Sequence, residues 1–119
     1  MRQAFYALAL LAGTATAQPG AYPTQPLKLV VGFAAGGPSD IVARAFADQA
    51  AKPLGQPIIV ENKPGANAVL ATEAVASAKA DGLTLLGAAT NHTMIPALYA
   101  SRIRFDAAKS FAPIFLSTD

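Results

Sequence analysis

The sequence contains no cysteine, no tryptophan and only one histidine among its 119 residues. The absence of cysteine excludes disulfide bonds and thiolate metal sites, and it leaves an exported location open. One histidine cannot form the clustered ligands of a zinc site, and the sequence shows no recognisable catalytic triad. We therefore predict no metal, no cofactor and no enzymatic activity.

Charged residues are also scarce, at 13% of the chain, and the basic ones are scattered. Loss of residues 1–17, which carry Arg2 and no acid, would lower the net charge from +2 to +1. A balance this small gives no reason to predict a nucleic-acid partner or binding to an anionic membrane surface.

Long apolar runs are absent as well. No run reaches the roughly 20 residues needed to span a bilayer, so we predict no stable membrane insertion. Residues 1–17 instead have the features of a secretory signal peptide, namely Arg2, an apolar region at 4–11 and the Ala15-Thr16-Ala17 motif. We expect export and cleavage after Ala17, with an uncleaved membrane anchor as the alternative.

The most informative stretch combines a predicted strand, two glycines and a predicted helix. Residues 27–33 are mostly apolar and β-branched or aromatic, as in a strand buried on both faces. Gly36 and Gly37 then allow a sharp turn or a close approach of the backbone to a ligand. A helix is predicted over 39–52. The positive end of its dipole and its free N–H groups are suited to an anion such as a carboxylate or a phosphate.

Two alternatives remain open at this point. The glycine pair has neither the G-x-G-x-x-G spacing of dinucleotide sites nor the Gly-Lys-Ser/Thr of a Walker loop, so it could be an ordinary turn. Asp40 could stabilise the first turn of the helix through its negative charge, or it could bind an amino or hydroxyl group of a ligand.

Further strands and helices alternate along the chain. This order predicts an α/β fold, a parallel sheet with flanking helices and right-handed crossovers. Ligand crevices in such sheets lie at the carboxyl ends of the strands, which are occupied here by loops 34–39, 63–67 and 89–93. The remaining predicted elements are an unstructured leader at 18–26, strands at 58–61, 83–89 and 111–116, a helix at 68–80 capped by Asn67, and a weak helix at 94–99.

The apolar spacing also predicts which helix faces are buried. In the first helix, Arg44 is placed to pair with Asp48 on the exposed side. The predicted buried residues are Val42, Ala45, Phe46 and Ala50 in the first helix, and Leu70, Ala74, Val75 and Ala78 in the second.

Several segments, in this order and spacing, resemble the Bug family. These proteins are the extracytoplasmic solute-binding receptors of tripartite tricarboxylate transporters. The segments that carry the resemblance are 22–23, 26–31, 33–40, 54–57, 60–66, 81–85, 96–99 and 111–113.

The resemblance implies a two-lobed, periplasmic binding protein-like fold, of which residues 27–119 would be part of lobe 1. It further implies a periplasmic location, a small carboxylate ligand and the membrane subunits of a transporter as partners. By position, the implied ligand-binding residues are Phe33, Ala34, Gly36, Gly37, Ser39, Asp40, Gly65, Ala66, Thr90, Asn91 and His92.

This chain departs from the family pattern in two ways. Asn67, Ala68 and Val69 stand where the family usually has further glycines. The chain is also about a third of the usual length, so we expect an N-terminal fragment whose second lobe is absent. Two other interpretations remain: a fragment of an exported Rossmann-like enzyme that binds a phosphate-containing ligand, and a non-functional truncated copy.

Overall fold

The computed structural model describes residues 20–117. The predicted signal peptide and its cleavage site after Ala17 lie outside these residues. None of the helices between residues 20 and 117 combines the length and apolar composition needed to cross a bilayer. The elements are β1 (Leu27–Val31), α1 (Pro38–Leu54), β2 (Ile58–Asn62), α2 (Val69–Ala76), β3 (Thr84–Gly87) and α3 (Ile95–Tyr99), with 3-10 turns at Ala66–Ala68 and Thr90–Thr93.

The three strands form one parallel sheet in the order β2-β1-β3. Leu27 lies opposite Ile58 of β2, and Lys28 lies opposite Thr84 of β3. The predicted α/β fold with a parallel sheet is therefore confirmed. Because all three strands run the same way, the loops that follow them emerge at one edge of the sheet.

Every residue of the central strand β1 except Lys28 is buried, and the buried side chains alternate between the two faces of the sheet. Leu27, Leu29 and Val31 pack with Ala43 and Ala47 of α1. On the opposite face, a Cβ atom on Gly32 would overlap the Cβ of Ala68. Glycine at this position lets the start of α2 approach the end of β1 closely.

Helix α1 extends the predicted segment slightly at both ends. Gly37 is its N-cap and Pro38 its first residue, while Gly55 ends it in a left-handed conformation with its N–H donating to Ala51 and Lys52. Its most buried side chains are Asp40, Ala43 and Ala47, whereas Ala45 and Val42 are exposed.

The predicted buried face of α1 is therefore wrong at Val42 and Ala45, although Phe46 and Ala50 do pack against the core. The small side chains of Ala43 and Ala47 let the helix lie close to the sheet. The burial of Asp40 then fixes which face turns inward.

Three further predictions need correction. Helix α2 ends at Ala76 instead of residue 80, and it buries Val69, Ala71 and Thr72, while Leu70 is 49% exposed. Asn67 does not cap this helix, because Asn67 and Ala68 both adopt positive φ values.

No strand forms between residues 111 and 117. Pro113 lacks a backbone N–H, and the apolar side chains that follow it remain largely exposed. Phe115 stacks on Phe46 of α1, with ring centroids 5.9 Å apart. Residues 20–26 also form no helix or strand, but Pro23 is buried and the Tyr22 hydroxyl donates to the Gly82 carbonyl.

Candidate functional site

Three loops meet at the carboxyl edge of the sheet, and side chains connect them. The first loop (32–37) follows β1, the second (63–68) follows β2, and the third (88–93) follows β3. Ala68 packs against Gly32, which joins the second loop to the first. The Asn91 Nδ2 donates to the Asn67 carbonyl at 2.7 Å, which joins the third loop to the second. The predicted convergence of the three loops is therefore present.

The first loop turns through Gly36, whose φ of +82° belongs to the region that favours glycine. The Gly36 N–H donates to Asp40 Oδ2 at 2.8 Å. The Gly37 N–H donates to the Ala34 carbonyl at 3.3 Å, so this group is turned inward as well. The loop is thus held by hydrogen bonds of its own, with Ala34 and Gly36 exposed at its tip.

Asp40 is the most constrained polar residue of the site. Its exposed fraction is 2%, and both of its carboxylate oxygens accept hydrogen bonds. Arg44 Nε donates to Oδ2 at 2.9 Å, and Asn62 Nδ2 donates to Oδ1 at 2.8 Å. The Arg44 guanidinium, the Gly36 N–H and the Asn62 amide together hold the pKa of the Asp40 carboxyl well below its usual range.

These contacts favour the structural interpretation of Asp40. The carboxylate is buried, and both of its oxygens already accept hydrogen bonds from this chain. Arg44 pairs with Asp40 in this network, so the predicted pairing of Arg44 with Asp48 is wrong. The Asp40 side chain is therefore an anchor of the first loop.

The first turn of α1 retains free donors. Within residues 20–117, no hydrogen bond engages the backbone N–H groups of Ser39 and Asp40 or the Ser39 hydroxyl. Helix α1 is 17 residues long, so its N-terminus carries a partial positive charge. Since Arg44 neutralises the Asp40 carboxylate, these donors are available to an anion.

The second loop has an unusual backbone. Gly65 has a φ of 138°, and Ala66, Asn67 and Ala68 follow with φ values of 47°, 54° and 67°. Three consecutive non-glycine residues thus occupy a region that L-residues rarely adopt. The turn leaves Ala66 exposed and brings the Asn67 carbonyl to Asn91 of the third loop.

The three predicted site residues of the third loop, Thr90, Asn91 and His92, lie in different surroundings. Thr90 is exposed, and Asn91 bonds to the second loop. His92 instead packs edge-on against Phe111 and its Nε2 lies 2.9 Å from the Ala107 carbonyl, so this nitrogen carries the hydrogen. His92 therefore faces a separate, mostly apolar groove of about 610 Å³ between α3 and residues 103–108.

Asn62 joins the site although no sequence motif marks it. This side chain also donates to the Phe33 carbonyl at 3.0 Å, so the Phe33 oxygen is occupied. The Phe33 side chain packs against the core. In the described part of the chain, no three potential metal ligands come together.

Comparison with known proteins identifies the family. Residues 42–117 match the sequence model of a protein family described as the tripartite tricarboxylate transporter family receptor. The chain belongs to this receptor family. It is 46% identical over 103 residues to a UPF0065 protein encoded in the gbd 5' region of Cupriavidus necator, covering 87% of this chain and 31% of that protein.

Two solved structures show the same fold. One is MatC from Rhodopseudomonas palustris with bound malate, at 41% identity and a TM-score of 0.69, covering 77% of this chain and 31% of MatC. The other is an R. palustris protein with adipate, at 35% identity and a TM-score of 0.54, covering 55% of this chain and 22% of that protein. This chain spans about a third of the length of the curated relatives it matches.

The comparisons confirm the resemblance to the Bug family, and a relative from Bordetella pertussis bears the name BugT. The matching proteins are periplasmic binding proteins and transporter receptors, which are not enzymes. The interpretation as a Rossmann-like enzyme is therefore set aside.

Proposed function

We propose that this chain forms the first-lobe side of a cleft that binds a small dicarboxylate in a periplasmic receptor. The observation that carries the proposal is the pair of unengaged N–H groups at Ser39 and Asp40, at the positive end of α1 and within the three-loop edge. Backbone N–H groups at a helix N-terminus bind a carboxylate without a counter-ion.

The ligand class is supported by what two relatives bind. MatC contains malate and the second R. palustris protein contains adipate, and both ligands carry two carboxylates. One carboxylate would lie on the first turn of α1. The Gly65–Ala66 backbone and the exposed Thr90 stand along the same edge as further contacts.

The cellular setting follows from the family and from the N-terminal sequence. We propose a periplasmic location after removal of residues 1–17, and delivery of the ligand to the membrane subunits of a tripartite tricarboxylate transporter. The small net charge of +2 supports no role for nucleic acid.

An NMR titration of the ¹⁵N-labelled chain with malate tests the proposal. We expect concentration-dependent shifts at the amides of Ser39, Asp40, Gly65 and Ala66. Malamide, the neutral diamide of the same carbon skeleton, serves as the matched control and should cause none, because the site recognises charge. NAD is a second control, because it carries phosphates and no carboxylate.

Two results would contradict the proposal. One is an absence of shifts at these amides up to millimolar malate. The other is an equal response to malate and malamide, which would show that the carboxylate charge is not recognised. Shifts with NAD and none with malate would show that these amides recognise phosphate and not carboxylate.

A further inference from the structure

We infer that Asn62 is a positioning residue that locks the first ligand loop to the end of β2, and so to the start of the second loop. Its side-chain amide makes three hydrogen bonds to two other elements. Nδ2 donates to the Phe33 carbonyl at 3.0 Å and to Asp40 Oδ1 at 2.8 Å. Its Oδ1 accepts from Arg44 Nη2 at 3.1 Å.

The chemistry of these partners requires an amide. The Phe33 carbonyl and the Asp40 carboxylate can only accept, and the Arg44 guanidinium can only donate. Asparagine is the side chain of this size that offers two N–H groups on one side and an oxygen on the other. The identity of each partner therefore fixes the orientation of the amide, and Asn62 bridges groups that lie 18 to 29 residues away in sequence.

Because of its position, Asn62 connects the start of the second loop to the first loop. Asn62 is the last residue of β2, and the N–H of the next residue, Lys63, donates to the Val31 carbonyl at 2.8 Å. The second loop thus begins from a point tied to β1. The Asn62 side chain also donates to Asp40 Oδ1, and Asp40 Oδ2 accepts from the Gly36 N–H of the first loop. A change at Asn62 would release the first loop where it meets the N-terminus of α1.

Asn62→Asp tests this inference with an almost isosteric change. At pH 7 the new carboxylate has no hydrogen for the Phe33 carbonyl or for Asp40, and it repels the latter. Arg44 remains the nearest cation, and the neighbouring Glu61 is already paired with Lys28. At lower pH the introduced carboxyl becomes protonated and can again donate one hydrogen bond.

We therefore expect the melting temperature of Asn62→Asp to lie on the order of 10 °C below wild type at pH 7 and to recover partly by pH 5. Gln49→Glu is the matched control, because it makes the same amide-to-acid change on the exposed side of α1. The melting temperature of Gln49→Glu should match that of wild type at both pH values. Identical behaviour of the two variants would overturn the inference.

A variant pair keeps the test informative even if Asn62→Asp does not fold at any pH. Combining Asp40→Asn with Asn62→Asp exchanges the acid and the amide and restores a donor facing an acceptor. We expect the double variant to be more stable than the Asn62→Asp variant, which is a non-additive result. If the two losses simply add, the proposed contact does not position the loop.

A measurement of malate binding adds a second test, which rests on the proposed function. Its failure can be distinguished from a failure of the inference about Asn62. Malate binding should weaken at least tenfold in Asn62→Asp at pH 7 and remain at the wild-type value in Gln49→Glu. If wild type does not bind malate, the proposed function fails while the thermal measurements still decide the role of Asn62. If malate binds equally to wild type and Asn62→Asp, the positioning role is wrong and the proposed function stands.

Discussion

The first and second loops serve the same edge of the sheet but are held in different ways. In the first loop the left-handed position is occupied by glycine, Gly36, and a buried polar network fixes the turn. In the second loop, alanine and asparagine occupy left-handed positions. The contrast teaches that two turns at one edge of a sheet can differ in backbone strain. Adding a side chain should destabilise the first turn, and removing one should stabilise the second.

The largest effect should come from removing the anchor of the first loop. Asp40→Ala removes the buried acceptor that the Gly36 N–H, the Arg44 guanidinium and one Asn62 N–H share. Three hydrogen bonds to a charged group are lost together, so we expect the melting temperature to fall on the order of 10–15 °C. Circular dichroism melts would measure this. A loss below 3 °C would show that the network is not what holds the loop.

Acid titration provides a control for the same residue. The folded-state pKa of Asp40 is lowered, so its ion-paired form stabilises the protein above the pKa of the unfolded state, near 3.9. That stability is lost as the pH falls from about 4 toward the folded-state pKa. Asp40→Asn should be less stable at pH 7 but should lose less on acidification. Parallel acid curves for the two proteins would contradict this assignment.

A smaller effect is expected at the turn itself. Gly36→Ala places a Cβ at a φ of +82°, and this costs about 1–2 kcal/mol although the surrounding space is open. Gly37→Ser is the matched control, because Gly37 has a φ of −76° and the benefit of a serine N-cap opposes the tight 3.3 Å approach of the new Cβ to the Ala34 carbonyl oxygen. Chemical denaturation should show a loss for the first variant and a change within about 0.5 kcal/mol for the second. Equal losses would exclude the backbone explanation.

Some features of these loops can be predicted from the local sequence, whereas others depend on residues that are distant in the chain. Alternating elements predicted the parallel sheet, and the glycine pair correctly marked the turn after β1. The partners of Asp40 could not be found locally, because Asn62 lies 22 residues away and resembles an ordinary loop residue at a strand end. The inward face of α1 was misjudged for the same reason: Val42 is more apolar than Ala43, yet close packing and the Asp40 network select Ala43.

Two other differences have local causes. Ala66 and Ala68 do not themselves indicate a left-handed backbone, since alanine favours a right-handed helix, although the glycines that the family usually has after Ala66 do. Residues 114–116 are apolar and prone to form a strand, but a strand requires a neighbour, and none pairs with this segment within the described residues.

Relieving the strain of the second loop should stabilise the protein. Ala66 is exposed and has a φ of 47°, so Ala66→Gly removes an unfavourable conformation without removing buried contacts. We expect a gain of about 1 kcal/mol, measured by urea denaturation. Ala68→Gly is the control, because the buried Ala68 Cβ packs against Gly32 and its loss offsets the relief. Destabilisation by Ala66→Gly would show that the left-handed turn is not strained.

The smallest effect should come from an ion pair that adjoins the first-loop network but is exposed. Lys28 Nζ and Glu61 Oε2 lie 2.9 Å apart, yet the two side chains remain 52% and 39% exposed. Water and salt screen such a pair, and ordering two long side chains opposes its formation. Glu61→Gln, one residue before Asn62, should therefore lower the melting temperature by less than about 2 °C, and by nothing measurable in 0.5 M salt. Asp40→Asn should keep most of its deficit in the same salt, because the Asp40 carboxylate is buried and also accepts two neutral hydrogen bonds, although its partner Arg44 is half exposed. Melting both variants at low and high salt compares the two carboxylates directly. An equal salt response would mean that burial does not distinguish them, and the account of the first loop as a buried polar lock would have to be abandoned.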